Sequence, residues 1–139
     1  LPAAKDLPKV RVVAFSGRET DVPHGIWGEI GRQLGKFDTF KDYYQPLKAP
    51  GRTAWINLLK GEPTLILLDE LPPYLDNAKS ISVGNSDLAK VTATALTNLF
   101  EAAVENDLGN VCVVLTDLVG TYAEASAQIQ SVLEQASDR

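Results

Sequence analysis

Asp69 and Glu70 stand side by side at the end of an unbroken aliphatic run, Leu65-Ile66-Leu67-Leu68, and adjacent carboxylates in that setting are equipped for two tasks. One can hold a hard cation such as Mg2+, which takes oxygen ligands and keeps much of its water, while the next draws a proton from an attacking water. The same two residues also have a plainer reading. Acidic side chains end strands wherever the chain must leave the core, and Pro72-Pro73 is ordinary turn chemistry.

What separates the readings is the set of elements around the pair. Residues 64–71, bounded by Gly61 and Pro63 before and Pro72 and Pro73 after, read as a strand buried on both faces of a parallel sheet. Asp69 and Glu70 then sit at its C-terminal end, where open α/β sheets bind their ligands. Two further strands are expected, at residues 9–16, rich in β-branched side chains and closed by Gly17, and at residues 110–118, again apolar and ending in polar residues. Helical spacing of Ile26, Trp27, Ile30 and Leu34 predicts a helix ended by Gly35, and Trp55, Leu58 and Leu59 mark a short one over 52–60. Ser86 or Asp87 caps a long helix whose apolar face, Leu88, Val91, Ala95, Leu99, Ala102 and Ala103, runs to about Asn106. Thr92, Thr94 and Thr97 fall mainly off that face. A last helix is expected over 121–135. Residues 74–86 read as a polar loop, and 36–50 as an irregular aromatic segment whose Phe37, Phe40, Tyr43 and Tyr44 pack under a loop rather than stack on nucleic-acid bases. Strands alternating with helices predict an α/β fold of three layers, αβα, with a parallel sheet in one domain spanning residues 1–139.

Bulk properties narrow the function. A net charge of −5 opposes a nucleic-acid clamp, which needs clustered Lys and Arg; nucleic acid stays open for a longer parent protein but is not supported by this segment. The single His and single Cys leave no zinc-type cluster, and Cys112 reads as a small buried hydrophobe compatible with a reducing cytoplasm. No apolar stretch is long enough for a membrane span. The first residue is Leu1 rather than Met, so a processed product or an excised fragment of a longer protein is expected.

Two apolar strands ending in polar residues, with a long helix between them, resemble the Walker B and sensor-1 strands of an AAA-type P-loop ATPase. The likeness extends to the segment His24-Gly-Ile-Trp-Gly-Glu-Ile-Gly-Arg-Gln-Leu-Gly35, the Ala49-Pro50-Gly51 turn, Leu65–Leu71 followed by Tyr74-Leu75, and Val113–Leu118. These resemble a family of large prokaryotic AAA+ ATPases of unknown function, often found beside DNA methyltransferases and in predicted phage-defence loci. The resemblance implies that Asp69 is the magnesium-associated residue and that Glu70 polarises the attacking water. It also implies that Thr116, or Asp117 in its stead, is the sensor-1 residue, and that ATP and Mg2+ are the ligands of the parent. No G-x-x-x-x-G-K-[ST] loop occurs in these residues; in the family pattern it lies upstream of the equivalent of Leu1. An excised fragment of this kind is expected neither to hydrolyse ATP nor to bind it tightly.

The same resemblance places strand 110–118 between the Walker B and P-loop strands. Without the latter, Val111–Leu115 is uncovered and the fragment is expected to self-associate. Two other functions compete: a non-catalytic interaction module with a degenerate nucleotide fold, and a metal-dependent nuclease, which lacks both a third placed acidic ligand and a basic track. Arg18, Arg32, Arg52 and Arg139 are each open as an arginine finger or as a surface charge.

Overall fold

A computed structural model of the protein describes residues 9–19, 21–104, 108–116 and 129–134. Its elements in chain order are β1 (Arg11–Ser16), α1 (Gly25–Gln33), a 3-10 segment (Phe37–Tyr43), α2 (Arg52–Leu59), β2 (Thr64–Asp69), α3 (Leu71–Ala78), β3 (Ser82–Val83), β4 (Ser86–Asp87), α4 (Leu88–Ala103) and β5 (Val111–Leu115). Residues 129–134 are also helical. β1, β2 and β5 form a parallel sheet in the order β1-β2-β5, with Ser16 opposite Asp69 and Leu68 opposite Leu115. Parallel neighbours need crossovers, and the intervening helices supply them. The fold class is α/β.

The core lies against one face of the sheet. Val13 and Phe15 of β1 and Ile66 and Leu68 of β2 point into it, meeting Trp27, Trp55, Leu58, Leu59, Tyr74 and Leu99 from the helices. The aromatic segment packs as expected: Phe40 is fully buried and meets Trp55 edge-on with ring centroids 5.0 Å apart. Both tryptophans satisfy their indole N–H groups on backbone, Trp27 on Tyr43 O at 3.1 Å and Trp55 on Ala95 O at 3.0 Å. The opposite sheet face is more open. Val12 is 58% exposed and Val114 40%, while Leu65 and Leu67 are half-buried, so β2 is not equally covered on its two faces. Cys112 is exposed, not buried, because it belongs to this open face of β5.

Residues 74–86 are not a loop. Pro72 and Pro73 fall in the first turn of α3, where backbone N–H groups have no intrahelical partner, so the residues that suggested a turn instead start a helix. Leu71, Tyr74, Leu75 and Ala78 repeat at helical spacing and are buried, leaving Asp76 and Asn77 outside. A short hairpin, β3–β4, follows and turns at Gly84, whose φ is +59°. Asp87 then caps α4, its side chain accepting from Lys90 N at 2.9 Å. α4 packs against α2, α3 and β5 together, so its buried face is wider than a single stripe and takes in Thr92 and Thr97. Thr97 returns its hydroxyl to Ala93 O at 2.9 Å, which satisfies it inside the core. Of the expected strand 110–118, residues 117 and 118 lie outside the described residues, as does most of the expected helix 121–135.

The two sheet edges are finished differently. On β1 the backbone of Ala14 faces outward, and the Gln33 side chain takes both its groups: Gln33 Nε2 donates to Ala14 O at 2.8 Å and Ala14 N donates to Gln33 Oε1 at 3.0 Å. On β5, Asn110 O accepts from Thr64 N and Thr116 N donates to Leu68 O. By the alternation of a parallel ladder, Val111, Val113 and Leu115 therefore direct their backbone groups away from β2.

Candidate functional site

The aliphatic residues of β2 anchor its C-terminal end, and the chain reverses immediately after Asp69. Glu70 adopts the left-handed conformation, φ 55° and ψ 43°, and serves as the residue before α3. Leu71 and Leu75 pin the start of α3 into the core, and Tyr74 meets Phe15 edge-on at 5.4 Å, tying α3 to β1. The turn is thus fixed from below. A non-glycine residue held left-handed carries strain of about 1–3 kcal/mol, which persists only where its surroundings dictate it.

Three contacts hold Glu70. Its amide donates to Thr116 Oγ1 at 3.2 Å, its carboxylate pairs with the Arg18 guanidinium, and its carbonyl lies against Gly17. Thr116 in turn donates its hydroxyl to Asp69 Oδ1, and its own amide extends the ladder to Leu68 O at 3.1 Å. The Asp69–Glu70 pair and Thr116, 46 or more residues farther along the chain, form one hydrogen-bonded group. Asp69 and Thr116 are exposed, whereas only 21% of the Glu70 side chain is accessible.

Beside this group, at the C-terminal end of β1, opens a cleft of about 590 Å3 whose walls include Ser16, Glu19, Asp21, Glu29, Arg32 and Asp69. Glu29 and Arg32 form a two-point ion pair, with contacts of 2.9 and 2.5 Å. The hydrogen bond from Arg32 is the main reason the Glu29 carboxyl is held below its ordinary pKa, against the opposing effect of burial. Among the described residues no three His, Cys, Asp or Glu side chains converge as a metal cage. The donor set still suits Mg2+, which takes one or two carboxylates and draws its other ligands from water and phosphate oxygens. Asp69, with Thr116 beside it, is where such an ion would be held.

Of the four arginines left open as a finger, Arg18 is at Glu70 and Arg32 in the cleft, Arg52 begins α2, and Arg139 lies outside the described residues, as does Asp117. Sequence reasoning left Arg18 open as an arginine finger or a surface charge and saw Gly17 only as the end of a strand. A glycine followed by an arginine just past a buried strand was the one available signal.

Among the described residues no helix is long and apolar enough to cross a membrane. No curated protein and no solved structure matches the chain. A family model described as the DUF499 N-terminal domain matches residues 15–135, a stretch holding both site strands and every element between them. The chain therefore belongs to the DUF499 family and carries its N-terminal domain.

Proposed function

We propose that this domain is part of a magnesium-dependent ATPase with an αβα P-loop core, and that Asp69, Glu70 and Thr116 are its hydrolytic residues. The single observation that carries the reading is the hydrogen-bonded group itself, in which the Thr116 hydroxyl accepts from the Glu70 amide and donates to the Asp69 carboxylate at the C-terminal ends of neighbouring parallel strands. In this reading Mg2+, when bound, neutralises charge on the transferring phosphate. Asp69 offers the ion a carboxylate, and Thr116 orients that carboxylate through its hydroxyl. Glu70 accepts a proton from the attacking water, a role its outward turn and restricted exposure suit. Arg18, paired with Glu70 here, must yield that carboxylate for it to act as a base.

The strand order supports the same reading. A sensor-1 strand flanks the Walker B strand, and β5 flanks β2 with its far edge open among the described residues. The loop that cradles the phosphates would come from a part of the protein outside this chain and add its strand there, completing the sheet. A non-catalytic module with the same fold is the competing reading. ATP turnover by the intact protein, measured with Mg2+ and with the ion chelated, separates them: Mg2+-dependent hydrolysis is the expected result, and none under either condition refutes the proposal.

A further inference from the structure

Gly17 follows β1, and its amide donates to the Asp69 carbonyl at 2.7 Å, carrying the ladder one residue past the strand. Its own φ lies outside the left-handed region, unlike those of Gly25, Gly35, Gly61 and Gly84, so nothing in its own conformation calls for glycine. The requirement comes from its neighbour. A Cβ on Gly17 would lie 1.7 Å from the Glu70 carbonyl oxygen and 2.6 Å from the carbonyl carbon, and both are backbone atoms that cannot swing aside as a flexible side chain would. The space that any side chain at position 17 would fill is occupied by the peptide of Glu70. Glu70 is also the one described non-glycine residue with positive φ. Its turn exists because the end of β1 leaves room for it.

We propose that Gly17 is a positioning residue for Glu70: by lacking a side chain it admits the Glu70 peptide in its left-handed turn and so sets where the carboxylate points. The proposal rests on the reading of Glu70 as the water-activating base. It needs no change of charge at the site, and it predicts that the smallest possible addition, one methyl group, acts at a distance through Glu70. Any residue larger than glycine at position 17 must push the Glu70 carbonyl outward. That rotates the peptide joining Glu70 to Leu71 and carries the carboxylate away from the water it would activate.

The test uses the intact protein and the variants G17A, E70Q and G17A/E70Q. G17A is expected to lower kcat by about tenfold or more, since misplacing a reacting group by about 1 Å is enough for such a loss. Nucleotide Kd should stay within about threefold, and in the E70Q background G17A should change the residual rate by less than about twofold, because residues acting as a unit are not additive. A G17A protein with wild-type kcat overturns the proposal, as do effects that multiply in the double variant. If G17A does not fold, E70G and E70A decide: E70G should melt higher by a few degrees, because glycine tolerates the left-handed turn and alanine does not. Equal melting temperatures, or a lower one for E70G, overturn it. An intact protein with no ATP turnover would remove the parent reading instead, while the comparison of E70G with E70A would still report on the turn.

Discussion

The edges of the parallel sheet differ in a way that bears on the whole domain. At β1, Gln33 reaches across from α1 and pairs with Ala14 as a neighbouring strand would, while Glu29 accepts from the same Gln33 amide at 2.7 Å and holds it in place. At β5 the outward backbone groups of Val111, Val113 and Leu115 have no such cover among the described residues, and Val114 beside them is 40% exposed. Gln33 thus covers β1 at Ala14, although Val12 on the same edge is 58% exposed, whereas among the described residues β5 has no side-chain cover of this kind. The candidate site lies on the β5 side, between β2 and β5.

The largest effect expected from this difference concerns association. The isolated chain should self-associate through β5, and Val113→Pro should weaken that association by about tenfold or more: the Val113 amide points away from β2, so proline removes an outward donor and no internal ladder bond. Sedimentation across a dilution series checks this. A chain that stays monomeric at high concentration, or a variant that associates as well as the parent, would mean that β5 is not an open edge.

Opening the closed edge should have a smaller effect. Gln33→Ala removes three hydrogen bonds that are exposed to solvent, two to Ala14 and one to Glu29, so a stability loss of about 1 kcal/mol is expected in urea unfolding. Some new association through β1 should accompany it. No change in either quantity would show that Gln33 is incidental to the edge. Smallest of all is the dependence on pH. The Glu29 carboxyl is held below its ordinary value of 4.5, chiefly by its hydrogen bond from Arg32, so its contribution is full above about pH 4.5 and fades as pH falls through the lowered folded value. Glu29→Gln should flatten that acid limb of the stability curve, and salt should shrink the difference because the pair is partly exposed.

Much of this was legible in the residues. The apolar runs located the three strands of the parallel sheet, though not the β3–β4 hairpin, and the change from apolar residues to carboxylates after Leu68 located the candidate site, because a buried strand must announce both its length and its end. Gly35 and Asp87 marked helix limits for physical reasons that hold in the structure. The helix α3 was missed because Pro72-Pro73 signals a turn equally well, and only the fourfold spacing of Leu71, Tyr74, Leu75 and Ala78 argued otherwise. Cys112 was misjudged because a continuous apolar run looks the same whether one face or both are covered. The contacts of Gly17 and Arg18 with Glu70 were beyond reach, since they join residues 52 or more apart through the geometry of a crossover. Gln33 offered even less, a glutamine on a helix face being an ordinary surface residue.

Glu70 decides whether this domain is hydrolytic. In the intact protein, Glu70→Gln keeps the shape of the side chain and removes its ability to take a proton, while Asp69 and Thr116 stay as they are. Turnover should fall by about 100-fold or more, the range removed with a general base, and nucleotide should still bind within about threefold of the parent affinity. Unchanged turnover, measured on the same preparation as the binding, would contradict the assignment of Asp69, Glu70 and Thr116 as a hydrolytic group.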